Sequence, residues 1–370
     1  MSNSTTKLIL AGGFLGAGKT TLLWEAAQRV AAKGLRAGLI TNDQAPELVD
    51  SALLSRGGLT VAEVSGSCFC CNFNGFTDAI QKVRREAEAD VIIAEPVGSC
   101  TDLSATIVQP LKRLWRRELQ LAPLSVLADP LRLASILDGG TAGLHPDAAY
   151  IYRKQLEESD VILITKTDLL PPEALERLRQ RVGSACPEST ILAASPLTGS
   201  GVDEWLDLML TRSDAGLRLA EVDYDVYAHG EAVLGWLNGT VRLRSEAPAD
   251  WDAFVHDFLA ALAGQFDGNS YSVGHVKVAA ESEAGIASGN LTGNAATLAL
   301  RGGAGVGKSA KLIVNARVEA SPDVLDKIVR DTLDALTRDK LTVEVGAWRF
   351  LQPGRPQPTH RFVRVENFEF

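Results

Sequence analysis

The sequence lacks an apolar run that could cross a bilayer, a basic leader and an excess of positive charge. A membrane-spanning helix needs about 20 predominantly apolar residues, so no membrane partner is expected. The net charge of −9 disfavours nucleic acid and anionic membrane surfaces as partners. Because the first residues, Met-Ser-Asn-Ser-Thr-Thr, contain no basic region, we expect no secretory signal peptide and a cytoplasmic location.

Cysteine and histidine are scarce, with five residues of each type in 370. So few and so unevenly spaced cysteines exclude the disulfide framework of a small secreted domain. The histidines show no H-x-x-x-H spacing, so each is expected to be structural. Three cysteines nevertheless fall together at Cys68, Cys70 and Cys71. Cys100 and Cys186 stand alone and are expected to be core or partly buried thiols.

Two regions of different pattern divide the chain. Residues 1–217 alternate short apolar strands with helical patterns, which predicts an α/β fold with a mostly parallel sheet. Residues 218–370 predict a smaller α+β domain with a mostly antiparallel sheet. Its predicted strands are 231–243, 273–280, 295–300, 311–317 and 342–350, its helices are 250–266 and 322–337, and residues 285–294 are predicted as a hairpin loop. The length suffices for two domains.

A phosphate-binding loop lies near the N-terminus, where residues 13–20 fit the pattern G-x-x-x-x-G-K-[ST]. A short apolar strand precedes it and a helical pattern follows, which is the context that such a loop requires. Glycines let backbone N–H groups turn onto phosphate oxygens, and the helix N-terminus adds partial positive charge. Lys19 is predicted to reach the β- and γ-phosphates and Thr20 to bind Mg²⁺. The predicted nucleotide-binding residues here are Gly13, Gly16, Ala17, Gly18, Lys19, Thr20 and Thr21.

Residues 302–309, Gly-Gly-Ala-Gly-Val-Gly-Lys-Ser, match the same pattern a second time. The sequence that follows is β-like and has no helical stripe. A phosphate-binding loop must open a helix, because the helix supplies the N–H groups and the dipole. We therefore predict a glycine-rich hairpin turn at this second match.

A glutamate and a glycine follow the predicted strand 91–94. Ligands of parallel sheets bind beyond the carboxyl ends of the strands, which predicts that Glu95 lies beside the phosphate-binding loop. Glu95 is expected to hold Mg²⁺ through water, and the Gly98 N–H to contact the γ-phosphate. The alternative is an ordinary strand-end glutamate in a turn.

Thr165-Lys166-Thr167-Asp168 follows a later strand and resembles the N/T-K-x-D motif with which GTPases bind the base. A fixed carboxylate at Asp168 can accept from both N1–H and N2–H of guanine, and adenine offers neither donor. Lys166 is expected to lie along the base, and Thr165 stands where the usual Asn would be. Ser195 and the two residues after it are expected to present a backbone N–H to guanine O6. The alternative is a surface turn that caps the next helix.

Cys68, Cys70 and Cys71 form the other strong signal, because thiolates are soft ligands for transition metals. Alternation along an extended segment can bring Cys68 and Cys70 to one face, and Cys71 joins them if the backbone turns. A fourth ligand must come from elsewhere or be water, which predicts an open, exchangeable site. Carboxylates are available on an acidic loop at Asp43, Glu47 and Asp50. The alternative is a buried cluster that packs as small hydrophobic residues.

Four motifs together resemble those of the CobW-like GTPases, a P-loop family linked to cobalamin synthesis and metal delivery and related to the nickel-insertion GTPases. They are Gly13–Thr21, Cys68–Cys71, Glu95–Gly98 and Thr165–Asp168. The resemblance covers residues 5–215. It implies a P-loop GTPase domain over residues 1–217 and a CobW-C-like domain over residues 218–370.

The chain departs from the family pattern N-E-x-G-E-x-x-x-D after the second strand. Asp43 replaces the first Glu, and Pro46 stands at the second. The resemblance implies that Lys19, Thr20 and Glu95, with Asp43 or Asp50, act on the triphosphate and Mg²⁺. A histidine-rich tail, frequent in the family, is absent from this sequence, which argues against bulk metal storage.

The function implied is slow GTP hydrolysis coupled to delivery of a transition metal to a client enzyme. Zn²⁺ is the first expectation and Co²⁺ or Ni²⁺ the alternatives, and a homodimer stays open. A second hypothesis is a nucleotide-gated assembly factor for a cofactor-dependent enzyme, such as a corrinoid enzyme, with structural cysteines. A third, a small-molecule kinase, is disfavoured by the Thr-Lys-x-Asp motif.

Overall fold

The computed structural model describes residues 5–43, 59–293, 298–338 and 340–366. A parallel sheet occupies the first half of the chain, as predicted. Its strands are β1 (Thr6–Gly13), β2 (Ala37–Asp43), β3 (Thr60–Ser65), β4 (Val91–Glu95), β5 (Leu119–Leu121), β6 (Ser125–Ala128), β7 (Val161–Ile164) and β8 (Thr190–Ala193). Their order is β3-β2-β4-β1-β6-β7-β8, with β5 beside β1, and the paired strands run parallel.

Helices cover both faces of this sheet. They are α1 (Lys19–Ala32), α2 (Phe73–Glu86), α3 (Gln109–Leu114), α4 (Pro130–Leu137), α5 (Pro146–Glu158), α6 (Pro172–Ala185) and α7 (Val202–Thr211). Successive side chains of a strand point to opposite faces, so β1 feeds two cores. Leu8 and Leu10 pack in the core that includes α2 and α5. Ile9 packs in the core that includes α1 and α7.

An antiparallel sheet follows in the second half of the chain. Its strands are β9 (Gly235–Asp250), β10 (Val273–Glu281), β11 (Ile286–Leu291), β12 (Ala299–Gly303), β13 (Val306–Val318) and β14 (Thr342–Leu351), in the order β12-β11-β10-β13-β9-β14. Helices α9 (Trp251–Gly268) and α10 (Pro322–Thr337) pack on it. The predicted antiparallel domain is therefore present, and the predicted helix 322–337 has the observed bounds.

The strand predicted at 231–243 and the loop predicted at 285–294 are wrong. The strand predicted at 231–243 begins only at Gly235, because residues 224–232 form helix α8 (Tyr224–Ala232). The predicted hairpin loop 285–294 contains strand β11, which pairs with β10 and β12. The Ser/Gly/Asn-rich composition of this stretch predicted a loop, but the missing side chain of Gly289 has a packing role. A Cβ there would lie 2.4 Å from Leu259 Cδ1 of α9.

The second glycine-rich match, residues 302–309, opens no helix, as predicted. Strand β12 ends at Gly303 and β13 begins at Val306. These two strands are not neighbours in the sheet, so the connection is a turn between separated strands and the predicted hairpin is wrong.

Packing and hydrogen bonds connect the chain on the two sides of the predicted boundary at residues 217 and 218. Helix α8 follows the boundary, yet Tyr227 of α8 belongs to the core that contains Ile151 of α5. The Tyr150 hydroxyl of α5 accepts from the Asp223 N–H at 2.7 Å. The exact boundary therefore stays a prediction. No helix among the described residues has the length and apolar character needed to span a membrane.

Glu158, the last residue of α5, is a buried carboxyl that fixes the chain after β4. Its Oε1 accepts from the Thr101 hydroxyl at 3.0 Å and its Oε2 from the Ser104 N–H at 2.8 Å. Burial is the main cause that raises the pKa of Glu158 from 4.5 to about 8. The folded protein therefore holds a proton on Glu158 where the unfolded chain does not.

We predict that Glu158→Gln makes stability less dependent on pH. Between pH 4.5 and about 8, the folded wild type binds one proton more, so its free energy of unfolding falls as pH rises, by up to about 1.4 kcal/mol per pH unit. Glutamine can keep both hydrogen bonds without titrating. Urea unfolding measured across this pH range should show that the free energy of unfolding falls less steeply with pH in the variant than in the wild type. Glu157→Gln, at a half-exposed neighbour, should behave as wild type, and equal slopes in all three proteins would contradict the prediction.

Candidate functional site

The phosphate-binding loop connects β1 to α1 and has the backbone that its glycines allow. Gly13 has a φ of +127°, and a Cβ at this position would lie 2.3 Å from the Leu127 carbonyl oxygen. Only glycine fits there. The Lys19 side chain folds back over the loop, and its Nζ donates to the carbonyl oxygens of Gly13 at 2.9 Å and Phe14 at 3.3 Å.

Glu95, at the end of β4, lies beside this loop. Its Oε2 accepts from the Thr20 hydroxyl at 3.0 Å, and its Oε1 is 3.8 Å from Lys19 Nζ. A hydroxyl, a buried carboxylate and an ammonium thus meet at one point, which is the combination that a triphosphate and a hard divalent cation require. Asp43 ends β2, but its side chain, Glu47 and Asp50 lie outside the described residues.

The Thr-Lys-Thr-Asp segment lies at the same edge of the sheet, after β7. The Thr165 hydroxyl donates to the Ala17 carbonyl oxygen of the phosphate-binding loop at 2.8 Å. Lys166 adopts a left-handed backbone, and its Nζ is 2.7 Å from Asp129 Oδ2. Asp168 Oδ1 accepts from the Ser195 hydroxyl. The Ser195 N–H donates to the Ser200 carbonyl oxygen, and the backbone donor expected from Ser195 and the two residues after it stays a prediction.

The three clustered cysteines converge in the loop between β3 and α2. Cys68 Sγ is 2.9 Å from Cys70 Sγ, and Cys70 Sγ is 3.8 Å from Cys71 Sγ. All three sulfur atoms lie within 4.8 Å of one another. Cys68 and Cys70 are buried and Cys71 is half-buried. The sulfur atoms are thus close enough to bind one metal ion together.

The electrostatic interactions within the cluster favour ionisation of one cysteine, Cys68, over ionisation of its neighbours. Hydrogen bonds from the thiols of Cys100, Cys70 and Cys71 hold the pKa of Cys68 well below its usual range. The hydrogen bond with Cys68 is the main cause that raises the pKa of Cys71 to about 11. Among these thiols, Cys68 is therefore the one whose ionisation the hydrogen bonds favour.

Cys100 is the residue that the sequence did not reveal. It is buried, as expected, but it is not isolated, because its thiol hydrogen-bonds with those of Cys68 and Cys70. The signal that could have found it is topological. Strands β3 and β4 are both paired with β2 in parallel, so the segments after them meet at one edge of the sheet.

Asn42 holds the cysteine loop to the end of β2. Its Nδ2 donates to the carbonyl oxygens of Val64 at 2.8 Å and Ser67 at 2.9 Å, and its Oδ1 accepts from the Phe69 N–H at 2.9 Å. The strand that leads into the acidic loop therefore also fixes the backbone beside Cys68.

The chain after β14 covers the cysteine loop from outside. The Gln357 N–H donates to Cys71 Sγ at 3.2 Å, and the Thr359 N–H donates to the Cys70 carbonyl oxygen at 2.8 Å. Arg361 Nε donates to Asp102 Oδ2 at 2.6 Å. No sequence motif pointed to this contact, which closes the outer side of the cluster.

Cationic side chains from both halves of the chain lie at the phosphate-binding loop. Arg132 donates from Nη1 to the Leu15 carbonyl oxygen at 2.8 Å and from Nη2 to the Val273 carbonyl oxygen at 2.9 Å. Lys277 Nζ of β10 lies 3.3 Å from Thr20 Oγ1, and Arg301 Nη1 of β12 donates to Thr21 Oγ1 at 2.7 Å. The second half of the chain therefore contributes positive charge where no sequence motif had indicated any.

Two histidines that are far apart in the sequence come together at the start of α5 and in α8. The rings of His145 and His229 are 5.2 Å apart, and His229 Nδ1 is 2.5 Å from Asp147 Oδ2. The His145 Nδ1 accepts from the Asp147 N–H and so caps α5. The H-x-x-x-H pattern describes histidines on a single helix, so it could not reveal a group whose histidines belong to two different helices.

Comparison with known proteins shows the family to which the first half of the chain is similar. A family model described as CobW/HypB/UreG, nucleotide-binding domain, matches residues 7–193. The zinc chaperone YeiR of Escherichia coli (strain K12) is 27% identical over 179 residues, which cover 47% of this chain and 51% of YeiR. The zinc chaperone CobW of Sinorhizobium sp is 28% identical over 238 residues, which cover 54% of this chain and 64% of that protein. The chain thus spans less than two thirds of these relatives.

Solved structures show similarity at low sequence identity. HypB from Helicobacter pylori in complex with nickel is 18% identical, with a TM-score of 0.40, covering 56% of this chain and 86% of that one. The Zn(II)-bound YjiA GTPase from E. coli is 14% identical, with a TM-score of 0.36, covering 90% of this chain and 100% of that one.

We predict that Lys277→Met weakens binding of GTP more than binding of GDP. The ammonium lies beside the Thr20 hydroxyl, and the third phosphate adds negative charge that the variant no longer meets. Loss of one hydrogen bond to a charged group corresponds to about 10–100-fold in affinity. Titration with fluorescently labelled GTP and GDP measures the two affinities. Lys308→Met, from the second glycine-rich match, is the matched control and should bind as wild type. Unchanged GTP binding by Lys277→Met would contradict the prediction.

Proposed function

Because the chain belongs to the CobW/HypB/UreG family, we propose that it binds and hydrolyses GTP and couples the nucleotide state to delivery of a transition metal ion. The observation that carries this proposal is the short segment after β4. The segment starts at Glu95, the last residue of β4, which lies at the phosphate-binding loop. It ends at Cys100, which lies at the cysteine cluster. A change at the γ-phosphate therefore has a direct covalent route to the sulfur atoms.

The proposed nucleotide site is formed by residues at the carboxyl ends of three strands, β1, β2 and β4. Lys19 contacts the β- and γ-phosphates, and backbone N–H groups of residues 13–21 bind the remaining phosphate oxygens. Thr20 and Glu95 would hold Mg²⁺, since a hydroxyl and a carboxylate 3.0 Å apart are the hard oxygen ligands that this ion prefers. When Mg²⁺ is bound, it neutralises part of the negative charge of the phosphates. Asp43 or Asp50 is proposed to complete this shell.

Asp168 is proposed to select guanine. The Ser195 hydroxyl holds its Oδ1, and the Lys166 ammonium beside it is held by Asp129. A fixed carboxylate pairs with the two adjacent donors of guanine, and a base without them leaves it unpaired. Thr165, which bonds to the Ala17 carbonyl oxygen, ties the base site to the phosphate-binding loop.

Cys68, Cys70 and Cys71 are proposed to bind the metal ion as cargo. Thiolate ligands suit Zn²⁺, and Co²⁺ or Ni²⁺ are the alternatives. The zinc chaperones among the relatives support Zn²⁺ as the first choice. The Gly98 N–H is proposed to contact the γ-phosphate, so that hydrolysis releases the segment after β4 and with it the ion. The recipient would be a client metalloprotein.

One observation favours a second candidate function. Cys68 and Cys70 are buried among apolar side chains such as Phe69, Phe73 and Phe76, as structural cysteines would be. In that case the protein would be a nucleotide-gated assembly factor whose cargo is a protein or an organic cofactor, for example a corrinoid. Its client complex would be insensitive to chelators.

We predict that the protein binds Zn²⁺ more tightly with a non-hydrolysable GTP analogue than with GDP. The triphosphate should hold Gly98, and therefore the segment that reaches the cysteine cluster, in one position. Competition with a chromophoric chelator measures both affinities. The double variant Cys68→Ser with Cys70→Ser should lose tight binding in both nucleotide states, and Cys186→Ser should not. Equal affinities with both nucleotides would favour the assembly-factor alternative.

We predict that Asp168→Asn transfers preference from GTP to xanthosine triphosphate. The new amide oxygen can still accept from N1–H, but the amide NH2 opposes the N2–H of guanine and donates to the O2 of xanthine. The loss of GTP affinity should reach about 10–100-fold or more, because buried donors are left unpaired. Competition binding with the two nucleotides measures the preference. Thr167→Asn, at an adjacent position in the same motif, is the control. A variant that still prefers GTP would count against the assignment of Asp168.

A further inference from the structure

We propose that Cys100 is the fourth thiolate ligand of the metal ion, and that the nucleotide state decides whether it remains bound. This rests on the proposed function, because it completes the same metal site. The site would then have four sulfur ligands while GTP is bound and three after hydrolysis.

The geometry of the cluster singles out Cys100. Its thiol hydrogen-bonds with those of Cys68 and Cys70, and the Cys71 thiol contacts the same pair from the other side. Cys68 and Cys70 thus lie between an outer thiol, half-buried under residues 357–359, and an inner thiol that is fully buried. Cys100 lies outside the group of three sulfur atoms that are all within 4.8 Å of one another, so the Cys100 and Cys71 sulfur atoms would move towards each other when the ion closes a tetrahedral shell with Zn–S distances of about 2.3 Å.

Glu231 is the other candidate for the fourth ligand. It is buried and its charge interacts with that of Cys68. However, its Oε1 accepts from the Ser99 hydroxyl at 2.7 Å. Cys100 contacts two of the sulfur ligands directly, which favours the thiol over this carboxylate.

The turn that carries Cys100 is held to the phosphate-binding loop. The Cys100 N–H donates to the Val97 carbonyl oxygen at 2.9 Å. Gln155 Nε2 donates to the carbonyl oxygens of Gly98 at 3.0 Å and Cys100 at 2.8 Å. A Cβ on Gly98 would lie 2.7 Å from Leu15 Cδ2 and 3.0 Å from the Leu15 N atom. Gly98 therefore packs directly against the phosphate-binding loop, and Gln155 joins its carbonyl group to that of Cys100.

This arrangement gives a physical route from hydrolysis to release. With GTP, the γ-phosphate holds Gly98 against the loop and Cys100 stays on the ion. After hydrolysis the turn loses that contact, and Cys100 leaves a shell of three sulfur atoms with an open fourth position. An open position is what a client thiolate or imidazole needs in order to take the ion.

The first test counts sulfur ligands in the full-length wild-type protein loaded with Zn²⁺. X-ray absorption at the zinc edge should give four sulfur atoms with a non-hydrolysable GTP analogue, and three with one oxygen or nitrogen with GDP. No variant is needed, so a folding defect cannot obscure the result. Three sulfur atoms in both states would overturn Cys100 as a ligand, and four in both states would overturn its control by the nucleotide.

The second test uses Co²⁺ absorption, which reports thiolate ligands through charge-transfer bands. With the GTP analogue, Cys100→Ser should lose part of this intensity and weaken Zn²⁺ binding by more than the ~10–100-fold that loss of an outer-shell partner costs. Ser99→Ala, which removes the link to Glu231, and Cys186→Ser should keep the wild-type spectrum. If Cys68→Ser and Cys70→Ser abolish binding and Cys100→Ser does not, the proposed function stands and Cys100 is refuted. If none of them affects binding, the proposed function itself fails.

Discussion

The structure depends on one short length of backbone, the chain from Glu95 to Cys100, which is confined on two sides. On one side Glu95 bonds to Thr20 and Gly98 packs against Leu15. On the other, the Cys100 thiol joins those of Cys68 and Cys70. Close-packed interiors transmit displacement because their side chains have little free volume. A parallel sheet creates this situation by directing several strand ends to one edge, so the two proposed binding sites share one connecting segment.

Burial also explains why a cation would be favoured at the cysteine cluster. The thiolate of Cys68 lies near Glu231, and burial together with this thiolate raises the pKa of Glu231 to about 8. Removing charge from water is costly unless an opposite charge compensates. The three neighbouring thiols and the Ser99 hydroxyl offer hydrogen bonds but no positive charge. A soft divalent ion would supply that charge and bind the sulfur atoms at the same time.

The sequence predicted the parallel sheet, the phosphate-binding loop and the closeness of Cys68, Cys70 and Cys71, because each follows from local pattern or spacing. It did not predict strand β11, since Gly289 has low strand propensity and its role depends on Leu259 of a distant helix. It did not predict Cys100 in the cluster, because that contact depends on which strands are neighbours in the sheet. Single-sequence patterns describe periodicity well, but they contain no information on strand order.

Residues of the second half of the chain contact both proposed sites. Arg132 bridges the phosphate-binding loop and β10, and Lys277 reaches Thr20. At the opposite end, Gln357 and Thr359 bond to the cysteine loop. Each proposed site is therefore built from both halves, so a change in the nucleotide can alter the contacts of the antiparallel sheet as well as those of Cys100. The final segment covers Cys71, the most exposed of the three clustered cysteines, and a client that took the proposed ion through this side would first have to displace residues 357–359.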